Sequence, residues 1–468
     1  MKGETAQLAA FAIEQRSFPA EVLEHAKLLV LDHLACSIAA ATLPWSLKYR
    51  AAIRSLGAVG TATVVYHGDG LSLDSAAFLN GTFGHGNEYD DHEIKSTTHP
   101  GSAVIPAVLA IAESRHLSGL RALEATIVGV ETMVRVAFAA SPHLHDRGHH
   151  TPPGVGTFGV AAAASRLLDS DTATCLNAMA IAGSHSAGLR QYDITGGDVK
   201  RIHCALAALG GLRAAFFATR GITGPPTVLE GEKGFLNVFA GSGDLVRMLD
   251  ALSERYDMML VGFKPFCSCG STHTSIEALA LLQAEHGFGP DDIEKIVVGT
   301  SKHVIDHVGK ITEPQDVLGA QFSLPFSLAI RLLRGSNGFY DYRQEDLHDE
   351  AFLRIARRVT LVYDELANEE RVKIGNRGAI VTVHTKNGNV FERRVRFAKG
   401  LPENPLTPAE MQAKFMDCVV PRLGQERATQ IAAMVANLEH LQDVGDLMRL
   451  TVHDTAASTN GKGIAPRG

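Results

Sequence analysis

Two stretches leave this chain few ways to fold. Residues 155–165 read VGTFGVAAAAS and residues 203–219 read HCALAALGGLRAAFFAT. Small side chains let helix backbones approach closely, so both predict helices in a tightly packed all-α body. The rest of the first 260 residues agrees. Pro19-Ala20 opens an amphipathic segment to about 41, with Val22, Ala26, Leu29, Val30, His33 and Leu34 near helical spacing. Further helices are expected at about 103–115, 120–139, 155–168, 172–185 and 200–220. No β-branched alternating runs interrupt them, which argues against a parallel α/β sheet. Asp32, inside the first apolar segment, reads as a buried structural acid with a hydrogen-bonding partner.

The texture changes near Tyr256. Residues 293–300 and 358–363 read as strands, and 379–385 with 390–395 reads as a β-hairpin around an Asn-Gly turn. Helices at about 273–286 and 320–334 lie between. After a Pro-rich connection at 400–408, helices return at about 408–420 and 425–440. The expectation is a mainly α protein. A large all-α domain is built from both chain ends (1–261 and 401–454), with a smaller α+β lid inserted at 262–400. Residues 455–468, rich in Ser, Thr, Gly and Pro, read as a disordered tail.

A length of 468 residues suits two domains, and the net charge of −7 offers no basic patch for nucleic acid. The apolar runs read as too short to span a bilayer, and the N-terminus lacks the pattern of a signal peptide. Six cysteines are too few for a disulfide scaffold and predict a reducing cytoplasm. Cys267-x-Cys269 is a poor spacing for zinc or an iron–sulfur cluster.

The chemistry gathers at LNGTFGHGNEYDDHEIKSTTHPGSA, residues 79–103. It holds His85, His92 and His99 together with Glu88, Asp90 and Asp91. No apolar face survives between Gly84 and Thr98, so a polar loop or short irregular helix is expected, and long polar loops in compact domains tend to be functional. The three histidines lie seven apart. Gly81, Gly84, Gly86, Pro100 and Gly101 are expected to break helix there, and ligand spacings of two to five are absent, so no metal is expected. His85 reads as filling a packed turn, and His203 as a core histidine.

Four clusters, His99 among them, share one placement just before an apolar helix: His99; His149-His150; Lys200; and Cys269 to His273, with Lys264 five residues before Cys269. A cation is mildly disfavoured at a helix N-terminus, by a few tenths to about 1 kcal/mol. Four such cases suggest helix ends and cations that jointly bind an anion. Histidines near neutrality add general acid/base chemistry.

At these motifs the chain resembles the MmgE/PrpD family, which includes 2-methylcitrate dehydratase, cis-aconitate decarboxylase and iminodisuccinate epimerase. The resemblance runs through the Asn80 to Gly101 block and His150 ahead of Gly156-Thr157-Phe158-Gly159. It continues through Lys200-x-x-His203, Gly262-Phe263-Lys264-Pro265-Phe266, Cys269, His273, Phe322-Ser323-Leu324-Pro325 and Asn404-Pro405-Leu406. It implies a cofactor-free homodimer acting on a small carboxylate, with its site between an all-α domain and an α+β lid. By that resemblance His99, His150, Lys200 and His92 form the catalytic set, and Glu88, Asp90, Asp91, Lys264, Cys269 and His273 bind substrate. His99 would exchange a proton at carbon, while Lys200 and Lys264 would hold carboxylates.

The first expectation is a hydro-lyase like 2-methylcitrate dehydratase. An epimerase or a cis-aconitate decarboxylase stands next, and a non-catalytic carboxylate binder last. Phe326 falls where many members carry a tyrosine, and the loop from Glu88 to His99 is one residue longer than in the decarboxylases. Both features are read as favouring a substrate other than cis-aconitate.

Overall fold

The structure is a computed structural model and describes residues 3–192 and 196–453. The tail expected at 455–468, and Thr195, lie outside the described residues. The fold is mainly α. Ala20–Ala40, Pro100–Ser114, Gly119–Ala140, Thr151–Leu167, Thr172–Ala182 and His203–Ala218 form the helical body. Proline in the first turn starts two of these, where its missing N–H costs nothing. The Ala/Gly stretches do bring backbones close. A side chain on Gly159 would lie 2.4 Å from the Gly129 carbonyl oxygen, and one on Gly129 would lie 2.8 Å from Ala163 Cβ.

Several helices were not expected, among them Glu4–Glu14, Pro44–Ser55, Leu73–His85 and, in the second half, Glu365–Ile374. Leu73–His85 corrects the view that Gly81 and Gly84 break helix, since both lie inside it. A Cβ on Gly81 would stand 3.1 Å from the Ser102 carbonyl oxygen and 3.2 Å from Ala205 Cα, and one on Gly84 would stand 2.7 Å from the His33 ring. Close helix contact outweighs the propensity cost of about 1 kcal/mol per glycine. A short hairpin, Ala62–Thr63 with Gly70–Leu71, also interrupts the helical half.

One segment is more apolar than expected. Asp198–Ala218 is long and apolar enough to cross a membrane by length and composition, but 67% of its apolar window is buried inside the protein. It packs against Thr151–Leu167 and Leu73–His85 as a core helix.

The second half carries a four-stranded sheet in the order Val359–Tyr363, Ile293–Thr300, Ala379–Thr385, Val390–Val395. The first pair is parallel and the other two antiparallel. Side chains of Ala379–Thr385 alternate between buried and half-buried, as a sheet covered on one face requires. The cover is His273–His286, with Leu324–Arg334 behind it. The hairpin turns at Gly388, whose φ of 88° needs glycine. The helix expected at 320–334 is two helices, because the Ser323 hydroxyl caps a new one by accepting from the Phe326 N–H at 3.0 Å.

Two contacts place this half against the helical body. The chain crosses into it and back at one point: the Phe263 N–H donates to the Gly400 carbonyl at 2.9 Å, and Gly262 packs on Gly400 too closely for any side chain. Pro408–Leu423 then packs on Ala20–Ala40. There Lys414 Nζ lies 2.5 Å from Asp32 Oδ1 and donates to the Tyr89 carbonyl at 2.7 Å. Asp32 is thus the buried, paired acid that its apolar surroundings required.

Candidate active site

The polar loop from Gly86 to His99 joins two helices, Leu73–His85 and Pro100–Ser114. It is mostly buried, apart from Lys95, and tied at every few residues. Gly86 lies under the Trp45 ring, where a Cβ would stand 2.0 Å away, and its carbonyl accepts from Arg201. Asn87 reaches Cys267 and Gln321 in the second half. His92 and Gly262 exchange backbone hydrogen bonds of 2.9 and 2.8 Å. Glu93 and Thr98 pair likewise, and the Glu93 carboxylate accepts from the N–H groups of Lys95 and Ser96. Glu88 and Thr97 both have φ of 55°, a left-handed conformation that costs about 1–2 kcal/mol outside glycine. Both line one cavity.

His99 stands at the start of Pro100–Ser114, as expected. Its Nδ1 lies 2.8 Å from the Asp91 carbonyl oxygen and 3.3 Å from Asp90 Oδ2. A carbonyl only accepts, so Nδ1 carries the hydrogen. Nε2 is then the nitrogen that can take up or release a proton, on a ring that lines the cavity. Asp90 is fully buried and also accepts from His85 Nδ1 at 2.8 Å and the Ser102 hydroxyl at 2.9 Å. Burial works to raise the Asp90 carboxyl, but the His99 and His85 rings outweigh it and hold it well below the ordinary range. His85 is therefore part of a His85–Asp90–His99 chain and not a turn filler. The donor atoms of these three lie within 4.8 Å of one another, close enough to suggest a metal site. Nδ1 of His99 is already committed as a donor to Asp91, so the geometry describes hydrogen bonds.

Across the cavity, Lys200 contacts Glu88 Oε1, and Lys264 Nζ lies 3.4 Å from Glu88 Oε2 and 3.7 Å from Asp90 Oδ1. All four groups are buried. Burial and the neighbouring Lys264 charge press the Lys200 ammonium downward, and Glu88 in contact with it opposes both. His150 stands just before Thr151–Leu167, and its Nδ1 lies 2.7 Å from His203 Nδ1. Burial, then the His203 charge, holds the His150 ring well below its usual value, so it is neutral near pH 7. His203 is buried as expected, but it serves this site from behind.

Seven of the residues singled out from sequence line the cavity: Glu88, His92, His99, His150, Lys200, Lys264 and Cys269. Three expected to bind substrate do not. Asp90 stands behind His99. Asp91 accepts from the Gly101 N–H at 2.7 Å and so holds the start of the helix that carries His99. His273 sits behind His92, with its Nε2 at 3.2 Å from the Ser268 carbonyl oxygen. These three position other residues. His149 packs by Phe239 and is not on the wall. Phe326 is not there either, because it stacks on Phe352 in the core of the second half.

Sequence reasoning missed His145, Arg190, Tyr192, His307 and Arg377, which also line the cavity. Arg190 Nη1 donates to His145 Nδ1 at 3.1 Å, and burial, then the Arg190 charge, lowers that ring to about 4. A polar Arg190-Gln191-Tyr192 run between two apolar helices was the available signal.

With this arrangement in view, comparison with known proteins is decisive about family. The MmgE/PrpD N-terminal domain matches residues 6–247, and the MmgE/PrpD C-terminal domain matches residues 266–440. The chain belongs to the MmgE/PrpD family. Among MmgE/PrpD relatives, a cis-aconitate decarboxylase-like protein, oryM, of Aspergillus oryzae is 31% identical over 95% of this chain and 96% of its own length. The cis-aconitate decarboxylase of Aspergillus terreus is 27% identical over 96% of each chain. The human cis-aconitate decarboxylase is 30% identical over 80% of this chain and 78% of its own.

Proposed function

We propose that this protein is a lyase that uses its own side chains on small di- or tricarboxylates, by acid/base chemistry at a carbon next to a carboxylate. The observation that carries this is the pairing of His99, its Nδ1 hydrogen committed to Asp91, with two buried lysines across one cavity. Lys200 and Lys264 would take a substrate carboxylate, with Glu88 giving way or repositioning. His99 Nε2 would move the proton.

Decarboxylation is the favoured outcome. Relatives about 30% identical over most of their length carry that activity in their names. The objection drawn from Phe326 also lapses, since that side chain lies in the core of the second half. Loss of carbon dioxide leaves an electron pair that spreads onto a neighbouring carboxylate, where the lysines stabilise it. His99, protonated, quenches it at carbon. Dehydration of a 2-methylcitrate-like substrate is the second reading. It needs a base and an acid together, and His150 offers a second neutral imidazole on the same cavity. The segment from 262 to 400 would act as a lid, since it supplies Lys264 and Cys269 to the wall and enters and leaves beside His92. A cytoplasmic homodimer belongs to the same proposal.

Proton NMR in deuterated water with cis-aconitate, 2-methylcitrate, citrate and substituted succinates tests it. Itaconate from cis-aconitate is the expected result. A new alkene from 2-methylcitrate would select dehydration, and deuterium exchange without net turnover would select epimerisation. Inertness toward the whole panel would overturn the lyase reading.

A further inference from the structure

The cavity wall holds one buried cation that no carboxylate among the described residues pairs with directly. Arg377 is 7% exposed. It stands between the helix Glu365–Ile374 and the strand Ala379–Thr385, and it lines the cavity. Its Nη2 donates to the Ile94 carbonyl at 3.4 Å, while its buried Nε has no partner. Among the described residues no carboxylate forms an ion pair with it. Glu93, the nearby acid, is turned to the backbone of Lys95 and Ser96. Lys200 and Lys264, by contrast, share Glu88. A buried guanidinium without a counter-charge is costly, by several kcal/mol in general, unless something answers it.

A second observation shows where an answer would fit. A side chain on Gly270 would lie 3.1 Å from His92 Nδ1 and 3.2 Å from Arg377 Nη1. The bare backbone of Gly270 thus packs directly against an imidazole and a guanidinium, and all three meet on one stretch of the cavity wall. The His92 ring nitrogens make no hydrogen bond to any described residue. Burial, then the Lys264 charge, keeps that ring neutral near pH 7, so it has one N–H to donate. The planar fork of arginine suits the two oxygens of a carboxylate better than a lysine does.

We propose that Arg377, with the His92 ring beside it across Gly270, receives a second carboxylate of the substrate, distinct from the one taken by Lys200 and Lys264. The substrate is then at least a dicarboxylate, and Arg377 selects it over shorter acids. This rests on the carboxylate reading of the two lysines given above.

Binding without turnover tests it. Propane-1,2,3-tricarboxylate, succinate and propionate are titrated against the full chain, with affinity read by calorimetry for the first two and by ligand NMR for propionate. The wild-type protein is expected to hold the tricarboxylate at least about 30-fold more tightly than propionate, an effect the size of a charge-assisted hydrogen-bond pair. Arg377→Gln is expected to bring that ratio below about threefold while leaving propionate binding unchanged. Arg377→Lys, which keeps the charge and loses the fork, should fall between. Gly270→Ala presses a methyl group against His92 and Arg377 without removing a charge and should also weaken the tricarboxylate, which keeps the test open if Arg377→Gln does not fold. An unchanged ratio in folded Arg377→Gln, or in Gly270→Ala, overturns the assignment to Arg377 alone. Failure of the wild-type protein to bind any of the three acids overturns the carboxylate reading and this proposal with it.

Discussion

The ring of His99 and the carbonyl oxygen of Asp91 are 2.8 Å apart, and this one hydrogen bond decides which nitrogen can do chemistry. With Nδ1 held as a donor, Nε2 alone exchanges protons. His99→Ala is expected to lower kcat by about 10²–10⁴-fold, the usual range for a lost general acid or base, with substrate affinity nearly unchanged. Steady-state kinetics with a binding titration checks this. A kcat within threefold of wild type would move the chemistry to His150.

Asp91 also links this site to stability. Burial, reinforced by the Asp90 charge, pushes its carboxyl up to about 7 from an ordinary 3.8. Between those values the unfolded chain loses this proton and the folded chain keeps it. The contribution of this group to stability therefore falls as pH rises from about 4 to 7 and is level above that. Asp91→Asn can still accept from the Gly101 N–H and has no proton to lose. Urea melts of both proteins from pH 4 to 9 should show the variant gaining on wild type across that window, by at most about 1.4 kcal/mol per pH unit. Parallel curves would show that Asp91 is ionised throughout.

Lys414 and Asp32 join the two ends of the chain inside the core. Lys414→Ala leaves a buried carboxylate unpaired and is expected to cost about 3–5 kcal/mol of unfolding free energy. It should also loosen the polar loop, since Lys414 holds the Tyr89 carbonyl. Replacing both partners with apolar residues, Asp32→Leu with Lys414→Met, should recover most of the loss. Equilibrium denaturation of the single and double variants reads this directly, and a loss below about 1 kcal/mol in Lys414→Ala would mean the pair is solvated.

Local pattern carried far in this chain. The helix His273–His286 and the strands Ile293–Thr300, Ala379–Thr385 and Val390–Val395 have the bounds that periodicity and turn residues predicted. His99 and His150 stand at helix starts that the prolines just after them mark, and Cys269 lies just before another helix start. These features are set by neighbours within about four residues, which is the range over which sequence speaks clearly.

The rest depended on distant neighbours. Gly81 and Gly84 read as helix breakers until Ser102, Ala205 and His33 are known to press against them. His85 and His203 read as inert until Asp90 and His150 lie beside them. Phe326 read as bearing on the choice of substrate and is core, and Arg377 has no motif at all. Residue types and their spacing determined most of the helices and most of the cavity's ionisable groups, and likeness along the whole chain gave the family. Only the tertiary structure decided which nitrogen of His99 is available, which acid answers which lysine, and which cation is left for the substrate. Hydrogen-bond direction and charge pairing are set by contacts between residues far apart in the chain, and buried charges must be answered where they come to rest.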